Sequence, residues 1–226
     1  VWRTVQTLTR NRILTPVNFG VPEHGTHFEG APLDNLDVRA QNLERYSGFS
    51  LYQGGTLPDG KPAAHGIFAV TTHEPWRPTE MDHLFAHEGF PGHHLQNVVI
   101  DLLRRAGKLG YEATMGTMGT SFHVLQEGWA QVVWEILAGG GLEKVADEFG
   151  VDLAIELALV TLRDHAKHDV SILHQLEQMP IPVIQEMLRT RYLLDPHIVA
   201  KTSRGWATDP VFGPMVGPTY LVGRQV

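Results

Sequence analysis

Apolar residues recur three or four positions apart over much of the chain, which is the spacing of one buried face of an α-helix. In residues 79–90 this face is formed by Met81, Leu84 and Phe85, and residues 93–107 continue with the same spacing. Long periodic segments of this kind predict a mainly α-helical fold. Helices are expected over residues 1–14, 79–90, 93–107, 120–138, 142–149, 151–178 and 181–194.

Two short apolar runs with β-forming residues precede the first long helix. Residues 47–55 read SGFSLYQGG and residues 65–73 read HGIFAVTTH, and the turn-rich TLPDGKPAA separates them. This alternation of apolar runs and turn residues predicts two strands joined as a hairpin with a long loop. We expect the second strand, over residues 66–72, to be an edge strand that can pair with an extended peptide.

The segments rich in Gly, Pro, Asn and Asp predict little regular structure. Residues 1–65 are expected to be largely irregular after the first helix, with a helical turn around residues 33–46. The Pro- and Gly-rich tail, residues 195–226, is also expected to be irregular. The fold class predicted from these patterns is therefore mainly α, with a small β element before the helix at residue 79.

The boundaries of that helix are marked by two signals. Pro78 precedes Thr79, and Thr79 with Asp82 resembles a capping box, so we expect the helix to begin at Thr79. Pro91 should end the helix, because its ring removes a backbone donor and clashes with the preceding turn. We expect residues 79–138 to form one group of helices and residues 142–194 a second.

The composition indicates one globular domain over residues 1–226, with 42% hydrophobic and 19% charged residues. A formal net charge of −7 argues against nucleic acid as the main partner. The absence of cysteine excludes disulfides, thiolate ligands and a cysteine nucleophile, and it leaves both the cytoplasm and an exported location open. No apolar stretch predicts a membrane span, and no signal peptide is visible. The chain does not begin with Met, so we expect a processed product or a fragment.

Residues 87–94 read HEGFPGHH and carry the strongest chemical signal. The zinc-hydrolase pattern H-E-x-x-H places two histidines one helical turn apart beside a glutamate, but here Pro91 occupies the second histidine position. In a straight helix His94 would lie ~10.5 Å along the axis from His87, which is too far for one ion. A break at Pro91-Gly92 would bring His93 or His94 back towards His87. The alternative is a chance cluster in a chain with 13 histidines.

A carboxylate ligand is the next requirement of such a site, and Glu127 is the best candidate. Glu127 lies on an otherwise apolar helix, where a charged group is costly unless it is paired or bound to metal. His123 lies one turn earlier, so the pair is a second candidate metal-binding face. The alternative for Glu127 is a salt bridge on the helix face. Glu135 and Glu156 are weaker carboxylate candidates, and Tyr220 alone indicates packing.

The two motifs HEGFPGHHLQ and EGWAQ, at residues 87–96 and 127–131, together resemble the signature of the DUF885 family of bacterial metallohydrolases. The strand and loop at residues 66–76, and the tail GPTYLVG at residues 217–223, are similar to further parts of that family. The resemblance covers roughly the C-terminal half of the longer family members. It implies a mainly helical, gluzincin-type metallopeptidase fold and a single zinc ion.

The resemblance also implies roles for individual residues. His87, together with His93 or His94, and Glu127 would bind the metal, and Glu88 would be the general base. Tyr220 would donate a hydrogen bond to the developing oxyanion.

The expected activity is zinc-dependent hydrolysis of a peptide or small amide. Two alternatives stay open: a metal-binding module without turnover, and a non-hydrolytic enzyme that uses iron or manganese. The N-terminal half that the family has and this chain lacks would come from a companion chain or from a homo-oligomer.

Overall fold

The computed structural model describes residues 2–14, 36–43, 47–52, 65–73 and 75–226. The predicted mainly helical fold is confirmed over these ranges, since helices dominate and only one small sheet is present. The helices are α1 (Trp2–Thr9), α2 (Pro78–Glu88), α3 (His93–Arg105), α4 (Ser121–Gln131), α5 (Val133–Ala138), α6 (Leu142–Phe149), α7 (Val151–Gln175), α8 (Ile181–Thr190), α9 (Pro196–Thr202) and α10 (Phe212–Gln225). Two π-helical segments, Arg10–Leu14 and Ser203–Thr208, follow α1 and α9, and a 3₁₀ turn spans Tyr111–Thr114.

The sheet has three strands, β1 (Leu36–Gln41), β2 (Gly48–Leu51) and β3 (Gly66–Thr71), in the order β1-β3-β2. The predicted antiparallel pairing of β2 with β3 is confirmed, and the loop predicted between them, residues 56–64, lies outside the described residues. The prediction of an edge strand at residues 66–72 is wrong, because β3 is hydrogen-bonded on both sides. Its near-continuous apolar sequence is typical of a central, covered strand.

The helical turn predicted around residues 33–46 is also wrong in its described part. Residues 36–41 form β1, which pairs with β3 in parallel register from Leu36 opposite Gly66 to Gln41 opposite Thr71. The secondary structure of residues 36–41 is determined by pairing with a strand that is distant in the sequence. The local pattern of residues 33–46 does not indicate this pairing.

The start of α2 differs by one residue from the prediction. The helix begins at Pro78, and Arg77 is its N-cap residue. A Glu80 carboxylate oxygen accepts a hydrogen bond from the Arg77 backbone N–H at 3.1 Å. The capping box predicted from Thr79 and Asp82 is therefore wrong. Proline suits the first helical position, where its missing N–H would have no partner within the helix.

The chain folds into two compact units. The first contains Val1–Gly116 and Val132–Leu153. In this unit the sheet and α2 share a buried apolar contact, in which the rings of Phe68 and Phe85 meet edge to face with centroids 5.2 Å apart. Phe68 is fully buried, which places the core of the unit beneath the central strand.

The second unit contains Thr117–Gln131 and Ala154–Val226. Its helices α4 and α10 pack closely at two glycines: a Cβ added to Gly128 would lie 2.0 Å from the backbone oxygen of Gly223. A separate cluster of buried residues forms its apolar core. The members of this cluster are Ala166, Val170, Ile184, Leu188, Tyr192, Val199 and Ala207.

The prediction of an irregular tail over residues 195–226 is wrong, since α9, a π-helical segment and α10 occupy most of it. Asp195 caps α9, because its carboxylate accepts hydrogen bonds from the backbone N–H groups of His197 and Ile198 at 2.9 and 3.0 Å. Gly223 allows close helix packing and does not end α10. Within the described residues, no helix is both long enough and apolar enough to cross a lipid bilayer.

Candidate metal centre

The break between α2 and α3 brings two histidines together. His87 lies in the last turn of α2 and His93 is the first residue of α3. The centroids of their imidazole rings are 4.7 Å apart, and the ring planes are nearly perpendicular at 87°. The predicted effect of Pro91-Gly92 is therefore confirmed, because the chain turns back and places a trailing imidazole beside the leading one.

Gly92 makes this turn possible through close backbone approach. Its N–H donates a hydrogen bond to the Ala86 carbonyl at 2.9 Å. A Cβ added at Gly92 would lie only 1.8 Å from the carbonyl oxygen of His87. Because that neighbour is backbone and cannot rotate away, only glycine fits this position.

His94 packs in a different environment from His93. It is fully buried, and its ring meets the rings of Phe90 and Tyr52 with centroids 5.1 and 5.7 Å away. The strand residue Gly66 approaches it so closely that an added Cβ would lie 2.7 Å from its ring. Of the two histidines left open by the sequence, His93 therefore accompanies His87, and His94 has the surroundings of a packing residue.

The ring of His93 is oriented by a neighbour on its own helix. Its Nδ1 atom lies 3.1 Å from the side-chain oxygen Oε1 of Gln96. If this nitrogen donates to the amide oxygen, Nε2 is the unprotonated atom and is available as a ligand. Metal-binding histidines commonly use their second nitrogen in this way, so the contact fits a role for His93 in metal binding.

Glu127 and His123 form a pair on one face of α4. Nε2 of His123 lies 3.3 Å from Oε1 of Glu127, and the carboxylate is mostly buried. The backbone N–H of Gly119 donates to Nδ1 of His123 at 3.4 Å. Since Nδ1 accepts, Nε2 carries the proton and donates to Glu127. This contact orients the carboxylate of Glu127.

His87, His93 and Glu127 form a group that could hold a metal ion. Each offers one ligand atom, and these atoms lie within 4.8 Å of one another. Two imidazoles and one carboxylate are a known ligand set of catalytic zinc, with a fourth position for water. The same set also occurs in non-haem iron enzymes. The donor chemistry thus fits a transition-metal ion such as zinc or iron.

Comparisons of the chain with models of known protein families, with curated proteins and with solved structures find no match.

The remaining predicted residues, Glu88, Tyr220 and Glu156, lie on three different helices. Glu88 follows His87 at the end of α2 and is mostly buried. Tyr220 lies on α10, where its ring meets that of Trp206 edge to face at 5.8 Å. Glu156, a weaker carboxylate candidate, pairs with Arg163 at 2.8 Å and is therefore engaged in an ion pair.

Sequence reasoning did not single out Asp164 and Lys167 on α7. Asp164 is completely buried, and its carboxylate lies 3.0 Å from Nζ of Lys167. Burial raises the pKa of Asp164, and the Lys167 charge opposes that rise. The available signal was the spacing of an acid and a base three residues apart on a largely apolar helix, but many solvated pairs share this spacing.

Proposed function

We propose that this protein is a zinc-dependent hydrolase that cleaves a peptide or a small amide. His87, His93 and Glu127 are the zinc ligands in this proposal, and Glu88 is the general base. The observation that carries it is the grouping of two imidazoles and a carboxylate as candidate ligands of one ion.

Zinc bound by these residues would supply a Lewis acid and a bound water with its pKa lowered towards ~7. We assign the base role to Glu88 because it directly follows the ligand His87 at the end of α2, as the glutamate does in the H-E-x-x-H pattern. Its carboxylate takes the proton from the attacking water and passes it to the departing amine. Glu88 is mostly buried, which limits its contact with bulk water.

The contacts around the ligands support a preorganised site. Gln96 orients the ring of His93, and His123 donates to the carboxylate of Glu127. Partners of this kind fix ligand orientation, and their loss commonly lowers metal affinity ~10–100-fold. Such support is expected of a site that must hold its geometry through a reaction.

Tyr220 is proposed as the hydrogen-bond donor to the oxyanion that forms on the substrate carbonyl. A donor aimed at developing charge stabilises the transition state more than the ground state. We also propose a relationship to the DUF885 family and a gluzincin-type architecture. The support for both is the pair of motifs, together with a mainly helical fold in which a strand precedes the motif helix.

The test measures metal content and hydrolysis in the wild type and in Glu88→Gln. The glutamine keeps the shape of the side chain but cannot accept the proton, so metal should stay at one zinc per chain. Hydrolysis of a panel of peptides and amides should fall by ~10²–10⁴-fold. Glu143→Gln, an exposed change on α6, serves as the matched control and should leave both measurements unchanged.

Two other outcomes would contradict parts of this proposal. Zinc bound by a wild-type protein with no turnover would contradict the hydrolase proposal and favour a non-catalytic metal-binding module. Full activity in Glu88→Gln would remove Glu88 from the base role.

A second candidate is a non-haem iron enzyme, because two histidines and one carboxylate are also the ligand set of iron oxygenases. Redox-active iron in the purified protein, in place of zinc, would favour that candidate.

A further inference from the structure

Lys167 occupies a confined position in the second unit. Its ammonium lies 3.0 Å from a carboxylate oxygen of Asp164, which is one turn earlier on α7. Asp164 has no exposed surface, and its other oxygen, Oδ2, has no hydrogen-bond partner among the described residues. Because a buried carboxylate needs a nearby cation, Asp164 holds the Lys167 ammonium in place.

The same ammonium lies over two aromatic rings. Nζ of Lys167 is 4.2 Å from the ring centroid of Tyr220 and 5.2 Å from that of Trp206. The two rings stand nearly perpendicular, at 88°. A cation over the face of an aromatic ring is attracted by the negative charge of that face. Lys167 therefore contacts the ring of the proposed oxyanion donor directly.

We propose that Lys167 is a positioning residue that orients Tyr220 and strengthens its phenol as a hydrogen-bond donor. The inference rests on the proposed function, in which Tyr220 stabilises the oxyanion. The ring contacts both Lys167 and Trp206, and these two contacts limit its rotation. The positive charge also favours the phenolate over the phenol, and a more acidic phenol is a stronger donor.

Other charged groups act on the same cluster. Arg224 on α10 stabilises the ionised form of Asp164, and Glu127 on α4 destabilises it. Arg224 and Glu127 act on Asp164 through their charge only, whereas Lys167 also donates a hydrogen bond to it. The charge over the Tyr220 ring therefore depends on Lys167 itself.

The experiment follows Tyr220 by NMR in the full chain as purified, with tyrosine labelled at ¹³Cζ. Tyr220→Phe assigns its signal among the five tyrosines. Lys167→Met should raise the pKa of Tyr220 by about one unit, because an opposite charge near the phenolate is lost. Lys167→Arg keeps the cation and should leave the pKa near its wild-type value. Lys144→Met, an exposed change on α6, is the matched control and should have no effect.

Kinetics supply the second measurement. Lys167→Met should lower kcat with little change in KM, and Lys167→Arg should recover most of the loss. If Lys167→Met does not fold, Asp164→Asn combined with Lys167→Met removes both charges. The pKa of Tyr220 should still rise, but by less than about one unit, because the lost carboxylate partly offsets the lost ammonium, which lies closer to the ring.

An unchanged pKa of Tyr220 in a folded Lys167→Met protein would overturn the inference. The NMR result does not depend on turnover. The positioning role can therefore fail while the hydrolase proposal stands, and the hydrolase proposal can fail while Lys167 still sets the pKa of Tyr220.

Discussion

His93 and His94 are adjacent in the sequence but lie in different surroundings. His93 lies against His87 and has Gln96 as a partner for its second nitrogen. His94 lies in a closed apolar setting against Phe90. Adjacent residues at the start of a helix point ~100° apart, so one turn can serve both a candidate metal site and a core.

The first prediction separates these two roles. His93→Ala should abolish stoichiometric metal binding and change the free energy of unfolding of the metal-free protein only slightly, because its ring is partly exposed. His94→Ala should retain metal but lower the free energy of unfolding by about 3 kcal/mol, as expected for a large side chain removed from a core. Metal content after dialysis and urea unfolding of metal-free protein give the two measurements.

Phe122→Ala provides a control, since it removes an exposed ring on α4. It should change neither metal content nor stability appreciably. Loss of metal in His94→Ala, with metal kept in His93→Ala, would exchange the assignment of the two histidines.

At the scale of elements, two glycines set how closely α4 and α10 approach. An added Cβ at Gly128 would meet the Gly223 carbonyl, and one at Gly223 would lie 2.1 Å from the Val124 carbonyl. These neighbours are backbone atoms on packed helices, so neither can give way without moving a helix. The contact fixes the helix that carries Glu127.

The second prediction is that Gly128→Ala destabilises the protein although alanine is the better helix former. Intrinsic propensity favours alanine by ~1 kcal/mol, but overpacking at a backbone contact typically costs ~1–3 kcal/mol or more. The urea midpoint should therefore fall. Gly116→Ala is the matched control, because open space surrounds that position and no such clash arises. A rise in the midpoint for Gly128→Ala would show that α4 and α10 separate easily.

Local sequence patterns predicted some elements of the fold correctly and others wrongly. Local patterns sufficed for the break at Pro91 and for the helix Leu142–Phe149, whose predicted and observed bounds agree. They failed in the tail, where glycine indicates a turn locally but here allows helices to touch. They also failed at β1, whose partner lies 30 residues further along the chain.

The candidate site shows the same division. The motifs were enough to choose His87 and Glu127, because imidazole and carboxylate groups are the usual ligands of zinc. The choice between His93 and His94 depends on how the chain turns at Gly92, which a linear pattern does not determine. Lys167 could not be selected, since its significance comes from rings that lie 39 and 53 residues away in the sequence.

At the scale of the whole molecule, stability should depend on pH through a contact in the core of the second unit. Tyr192 donates its hydroxyl hydrogen to Asp169 on α7. Burial alone would raise the pKa of Asp169, but the hydrogen bonds from Tyr192 and His168 outweigh it and the pKa is lowered. Burial and the bond to Asp169 raise the pKa of Tyr192 to about 12.

The signs of the two shifts define a pH window for the third prediction. The lowered pKa of Asp169 contributes stability that is complete above its ordinary value of ~3.9 and is lost as the pH falls through the folded value. The raised pKa of Tyr192 contributes stability that is complete below its ordinary value of ~10 and is lost as the pH rises through about 12. The contact should therefore stabilise the fold most between these limits.

Tyr192→Phe tests this window by removing only the hydroxyl. The difference in unfolding free energy from wild type should be about 2 kcal/mol near neutral pH, the usual size for a hydrogen bond to a charged group. It should shrink below pH ~4 and again above pH ~10, where one partner changes its charge. Urea unfolding at a series of pH values measures it, with Tyr111→Phe as the control because that ring is exposed. A difference that stays constant from acid to alkaline pH would mean that the lost packing of the hydroxyl, and not its bond to Asp169, stabilises the fold.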